Sequence, residues 1–309
     1  MNTLVAVLAA ALVSPASTPR IATFSIVARD PANGDLGVAV QSKFPNVRVA
    51  VPYAKAGVGA VATQSFSNSD FGTKGLELLE LGATPQEVMT IVSRDDPDLQ
   101  DRQVGIVDAK GRSATFTGKK CFDWAGGRTG PDYSIQGNIL VSEATVDAME
   151  KAFLGTKGPL ADRLLAAIKA GAEAGGDRRG RQSAALVVVR KGASYDAKSD
   201  RYIDISVYDA KDPIAEIFRL YDLQKIHFER SDPKDVVPIA GSDAVYLQKL
   251  LAKKGFFKGE SDGAWDEAST KALAEYMGWE NYDVRIRQDG KVDRKILDLI
   301  KAKEGGMSD

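Results

Sequence analysis

Thr23-Phe24-Ser25-Ile26-Val27-Ala28-Arg29-Asp30 is the stretch whose reading decides the fold. It is rich in β-branched and aromatic residues and reads as a strand. Asp30-Pro31-Ala32-Asn33-Gly34-Asp35 is a turn with an Asn-Gly pair, and Leu36 to Gln41 resumes the strand pattern. The two runs together predict a β-hairpin. Upstream, Leu4 to Val13 is an apolar run that suits the core of a signal peptide and is too short to span a bilayer. Ser14-Pro15-Ala16 offers a small-x-small cleavage site, although no Lys or Arg precedes the apolar run. Export is the expectation, with a mis-assigned start or an uncleaved leader as the alternative. Thr23 marks the junction between leader and folded chain.

Downstream the strand pattern continues through Val47 to Pro52 and Val58 to Gln64. Apolar residues at helical spacing then predict helices over Phe71 to Leu81 and Pro85 to Val92, the second opened by Thr84-Pro85-Gln86-Glu87, a capping box with proline at the first position. Arg102 to Asp108 and Ser113 to Thr117 read as a second hairpin, and Ser134 to Val141 as a further strand. Helices are expected over Glu143 to Leu154 and Pro159 to Ala174, strands over Ala184 to Val189 and Tyr202 to Tyr208, and a helix over Pro213 to Phe228. Blocks of antiparallel strands alternating with helix pairs point to two layered sheets between helices, not to a doubly wound fold. Residues 229 to 242 are polar, with Pro233 and Pro238, and read as a linker. Helices around Ala244 to Lys253, Glu267 to Tyr276 and Arg294 to Lys301 complete a small tail.

Composition narrows the chemistry. Lys plus Arg (41) nearly balances Asp plus Glu (42), and no long basic run appears, which argues against nucleic acid as a partner. No later segment is apolar enough to cross a membrane. A single cysteine, Cys121, closes no intrachain disulfide, and a single histidine, His227, builds no His-rich metal site. His227 lies in the amphipathic stretch Leu223-Gln224-Lys225-Ile226-His227-Phe228, which favours a helix-end residue over the base of a nucleophilic triad.

A hydroxyl nucleophile can act without histidine when its own freed α-amine serves as base. Thr23 meets that requirement, and is equally readable as a β-branched strand start. Gln136 and Asn138 fall on one face of a strand, as an oxyanion hole or an internal network. Gln64 and Ser65 end a strand beside Ser67 and Asn68, with the same two readings. Arg178, Arg179 and Arg181 crowd a Gly-rich turn beside Asp177, as an anion site or a solvated loop.

Long motifs carry a family resemblance: Thr23 to Asp30, Gly37-Val38-Ala39-Val40, Ala56 to Gln64, Gly75-Leu76-Glu77-Leu78-Leu79, Arg102 to Asp108, Gln136-Gly137-Asn138 and Gly176 to Ser183. From Thr23 to about Phe228 the chain resembles the bacterial family of domain of unknown function 1028, which is classed with the N-terminal-nucleophile (Ntn) hydrolases. The resemblance implies an α+β fold, a four-layer αββα sandwich, and amide hydrolysis by a freed N-terminal residue matching Thr23. The stretch Leu36 to Lys43 also resembles the proteasomal second strand, in which a lysine assists the nucleophile, and Lys43 is its nearest counterpart. Where members often show Ala-Gly-His, this chain has Ala125-Gly126-Gly127. The tail, through Leu247-Gln248-Lys249-Leu250-Leu251, Gly255-Phe256-Phe257-Lys258-Gly259, Asp262-Gly263 and Thr270-Lys271-Ala272-Leu273, resembles a small peptidoglycan-binding domain.

The expectation is therefore a leader (1–22), an Ntn-type domain (23–230), a linker (231–242) and a small all-α domain (243–304). An exported amidohydrolase would use Thr23, Lys43, Asn138 and Asp177 in catalysis and Gln64, Gln136, Arg178 and Arg181 toward a small or peptide-like amide. Neither metal nor organic cofactor is needed, the tail would bind peptidoglycan, and a homo-oligomer stays open. The alternative is a non-catalytic wall-binding protein on the same scaffold.

Overall fold

The computed structural model describes residues 23–305. The leader reading falls on residues 1–22 and lies outside the described residues. The described chain divides into two compact units. One runs to Lys191 and includes Ser206–Ile214; the other comprises Gly192–Ile205 and the chain from Ala215.

The first unit opens with β1 (Thr23–Arg29) and β2 (Leu36–Ser42), paired antiparallel with Thr23 opposite Ser42. Gly34 of the connecting Asn-Gly pair takes φ +79°, where a side chain would be strained. Then come β3 (Pro52–Lys55), β4 (Gly59–Ser65), α1 (Thr73–Glu80), α2 (Pro85–Ser93), β5 (Arg102–Asp108), β6 (Ser113–Thr117), β7 (Gly126–Gly130), β8 (Tyr133–Asn138), α3 (Ala144–Gly155), α4 (Leu160–Glu173) and β9 (Ser183–Val189), followed by β10 (Arg201–Val207), whose residues up to Ile205 belong to the second unit. One sheet has the order β10-β9-β2-β1-β8-β7 and the other β3-β4-β5-β6. The architecture is mixed α+β.

Burial explains how these layers meet. Val27, Val38 and Val40 of the first sheet pack on Ala60, Ala62 and Val107 of the second, all without exposed surface. The opposite face of the first sheet lies under α4 and α3, where Phe24 approaches Gly171 closely. The far face of the second sheet packs Val61, Val104 and Ile106 against Leu79 of α1 and Val88 of α2. Helix α2 starts as its sequence dictates: Thr84 Oγ1 accepts from Glu87 N at 3.1 Å, and Glu87 Oε2 accepts from Thr84 N at 2.7 Å.

Two local expectations need correction. Val47 to Pro52 is not a strand: Val47–Val49 is a short 3-10 turn and β3 begins only at Pro52. Val47 and Val51 are both fully buried while Val49 is exposed, a four-residue spacing that belongs to a helical turn. The edge strand β7, Gly126-Gly127-Arg128-Thr129-Gly130, has a composition that no strand propensity favours, and it was not anticipated.

In the second unit α5 (Pro213–Phe228) is followed by β11 (Val236–Pro238), α6 (Gly241–Lys253), α7 (Glu267–Trp279), β12 (Lys291–Asp293) and α8 (Arg294–Gly305). The tail is helical but not all-α, because β11 pairs antiparallel with β12. Strands of three residues are too short to leave a period in the sequence. Leu247, Leu251, Tyr276, Ile296 and Leu297 centre the core. Arg285, nearly buried, pairs with Asp293 and donates to the last carbonyls of α5, Nη2 to Lys225 O and Nε to Ile226 O, each at 2.8 Å. His227 stacks on Tyr282 with ring centroids 5.1 Å apart, and its Nδ1 lies 3.0 Å from Asn281 O, so it holds helix to tail. None of the described helices is long and apolar enough to cross a membrane.

Candidate active site

Between the two sheets, at the end where β1 begins, the packing changes from aliphatic to polar. Thr23 is fully buried, and its Oγ1 donates to Ser42 Oγ at 3.0 Å. One pleat further in, Ser25 Oγ donates to Gln64 Oε1 at 2.7 Å and accepts from Gln136 Nε2 at 2.6 Å. Gln64 Nε2 donates to Thr23 O at 3.1 Å and to Gln103 Oε1 at 2.9 Å. Gln103 Oε1 also accepts from Asn138 Nδ2 at 2.9 Å, and Gln103 Nε2 donates to Gly137 O at 2.7 Å. Strands β1, β4, β5 and β8 thus each send polar groups into one connected network. The period-2 alternation puts them there, since Thr23, Ser25, Gln136 and Asn138 share the inner face.

One atom breaks the accounting. Asn138 is 1% exposed, and its Oδ1 has no hydrogen-bond partner among the described residues. Asn138 sits directly opposite Thr23 in the β1–β8 ladder. Partners so placed on one face have Cβ atoms about 4.5–5.5 Å apart. A buried carbonyl left unpaired costs about 1–3 kcal/mol, so this position invites a donor.

The remaining candidates lie around the ends of β2 and α4. Asp177 has a fully buried carboxylate that accepts from Lys43 N at 2.9 Å, Arg179 N at 2.9 Å and Arg179 Nη2 at 3.0 Å. Its guanidinium partner is thus Arg179 and not Arg178. Lys43 is exposed and its backbone, N to Asp177 and O to Arg179, is what ties it into the loop. Arg178 is exposed and uses its backbone N toward Ile139 O, while Arg181 Nη2 caps α4 by donating to Ala172 O at 3.1 Å. The structure therefore brings Thr23, Gln64, Gln136 and Asn138 into one cluster, holds Asp177 and Lys43 beside Ser42, and leaves Arg178 and Arg181 on the rim loop.

Sequence reasoning missed Ser25, Ser42 and Gln103. Their signal was a polar residue inside an otherwise apolar strand, in phase with the face that buries valines. Gln136 Nε2 donates to Ser25, and Asn138 Nδ2 donates one of its two hydrogens to Gln103. Asn138 also offers an unpaired acceptor. Cys121 is buried, and burial pushes its thiol up, which makes it a poor nucleophile. Among the described residues no group of three or more His, Cys, Asp or Glu side chains could hold a metal ion.

Comparison with known proteins finds two family models along the chain. The model described as "Family of unknown function (DUF1028)" matches residues 23–217, and that described as "Putative peptidoglycan binding domain" matches residues 227–300. The chain is similar to the crystal structure of a protein from Silicibacter pomeroyi assigned to the same family of unknown function. The two are 28% identical with a TM-score of 0.60, over 66% of this chain and 89% of that one. No curated protein matches the chain. With well over half of its length matched, the chain belongs to the family of unknown function DUF1028, and it carries a peptidoglycan-binding domain at residues 227–300.

Proposed function

We propose that the first unit is an amidohydrolase of the N-terminal-nucleophile type, exported and held at the cell wall by its C-terminal domain. The observation that carries this reading is the unpaired Oδ1 of Asn138, buried directly across the ladder from Thr23. Cleavage before Thr23 converts its backbone nitrogen into a free α-amine, with donors to spare and a pKa of about 7.7–8.0 in its unperturbed state. That amine takes the Thr23 hydroxyl proton as the hydroxyl attacks an amide carbonyl, and the empty acceptor on Asn138 orients it. Two packed sheets with helices on their outer faces support the four-layer sandwich that this reading requires. Gln64, holding the Thr23 carbonyl, and Ser42, holding its hydroxyl, fix the nucleophile. Asp177 acts one step away, by pinning the loop after Ser42, and Lys43 contributes charge at its rim. Arg178 and Arg181, exposed on that rim, suit recognition of an anionic or peptide-like amide.

The test is hydrolysis of a panel of amides by the mature protein. Thr23→Ala abolishes turnover, Thr23→Ser retains it, and the rate rises with pH through about 8 as the α-amine loses its proton. Full activity in Thr23→Ala removes the proposal. A second reading, a non-catalytic wall-binding scaffold, is favoured by the complete burial of Thr23 in the uncleaved chain. It predicts that no amide is cleaved and that the leader remnant stays attached.

A further inference from the structure

Within the second unit, a cavity of about 640 Å³ opens between the loop that precedes β10 and the end of α5, with Val284 on its rim. Its walls are of an unusual mixture. Tyr195 is 92% exposed and Phe228 is 48% exposed, and their rings meet edge to face with centroids 6.4 Å apart. Tyr202, Gln224, Ser199 and Asp204 also line it and bring phenolic, amide, hydroxyl and carboxylate groups. One exposed aromatic alone means little, but two rings set against each other over a concave polar cleft form a platform.

The platform is ordered before any ligand arrives. Ser194 Oγ donates to Asp196 Oδ1 at 2.7 Å and accepts from Ser199 N at 2.9 Å, and Lys198 N donates to Asp196 Oδ1 at 3.1 Å. These bonds close the loop that presents Tyr195, so little conformational freedom is lost on binding. At the other wall Gln224 Nε2 donates to Tyr202 O, and Tyr202 Oη pairs with Glu229 at 3.2 Å. Charge selects the class of ligand. Asp200 and Asp204 outnumber Arg201, which is itself 3.4 Å from Asp204, so an anion is disfavoured. Carboxylate, amide and hydroxyl groups beside exposed aromatic faces suit a neutral polyhydroxylated molecule, with sugar C–H faces on the rings and hydroxyls on the acceptors.

We infer that this cavity is a glycan subsite that takes the neutral N-acetylated amino-sugar backbone of peptidoglycan. The inference rests on the wall-binding reading of residues 227–300 and deepens it. Phe228 and Val284 lie inside that matched segment, whereas Tyr195, Ser199, Tyr202 and Asp204 lie before it. The subsite is thus assembled from more than the wall-binding domain.

The experiment is co-sedimentation of the full-length protein with purified peptidoglycan, alongside calorimetric titration with an N-acetylglucosamine oligomer. Tyr195→Ala is expected to weaken both about tenfold. Tyr195→Phe, which keeps the ring, stays near wild type. Tyr208→Ala, an aromatic 65% exposed that lies outside both the cavity and residues 227–300, is the control and leaves binding unchanged. Wild-type sedimentation that Tyr195→Ala leaves intact overturns the subsite while sparing the wall-binding reading. A wild-type protein that binds neither probe overturns both.

Discussion

Asp177 gives the sharpest energetic prediction, because its role follows from counting bonds. Its carboxylate is fully buried and accepts two backbone N–H groups, from Lys43 and Arg179, besides the Arg179 guanidinium. Asp177→Ala leaves both N–H groups without an acceptor, at about 1.5 kcal/mol each, the low end for bonds to a charged group. The ion pair adds less than a buried one would, since the Arg179 side chain is 33% exposed and screened by water. The total is about 3 kcal/mol. With a urea slope of about 2 kcal/mol/M, the midpoint falls by about 1.5 M. Hydrogen exchange of peptides from β1 and β2, followed against urea, reads this unit separately from the helical one. Arg179→Ala should cost about 1 kcal/mol, and the double variant should cost less than the sum, because the two residues share one interaction. A midpoint within 0.25 M of wild type (about 0.5 kcal/mol on that slope) for Asp177→Ala would show that the loop is held by something else.

Two further predictions probe the interior. A Cβ built on Gly105 of β5 would lie 2.0 Å from Gln136 Oε1, and Gln136 is fully buried and bonded to Ser25. Gly105→Ala therefore breaks the polar network and destabilises the first unit by about 3 kcal/mol, measured as above; a loss under about 1 kcal/mol would mean that Gln136 has room to move. The Tyr133 phenol, pushed up to about 12 by burial and then by its hydrogen bond to Glu150, gives an alkaline signature. Its raised pKa means that the stability it contributes is complete below the unfolded value of about 10 and is lost as pH climbs from there toward about 12. Burial also raises Tyr53 and Tyr282, so several tyrosines should lag in an ultraviolet titration, and Tyr133→Phe should remove one late step.

Much of this was legible along the chain because local and tertiary preferences agree. The hairpin of β1 and β2 announces itself through Asn33-Gly34 and two β-rich runs, and α2 through its capping box. Arg102–Asp108 and Ser113–Thr117 pair as the alternation of their residues requires. Legibility failed where tertiary structure overrides propensity. The glycines of β7 form a strand because β8 offers an edge, and Val47 and Val51 reach one core from a turn. For the candidate site, period 2 was enough to put Gln136 and Asn138 on one face. It could not reveal Gln103, whose partners come from strands distant in sequence. Nor could it tell that Asp177 would meet Arg179 and not Arg178, since in the turn Arg179 N and Nη2 both donate to the Asp177 carboxylate while Arg178 N donates to Ile139 O.

The account turns on Thr23 becoming the first residue. The most direct measurement is N-terminal sequencing, with intact mass, of the protein recovered from its native envelope. The account predicts a chain beginning Thr23-Phe24-Ser25, with the α-amine free. A mature protein that begins upstream of Thr23, such as after Ala16, or that retains residue 1, would contradict it.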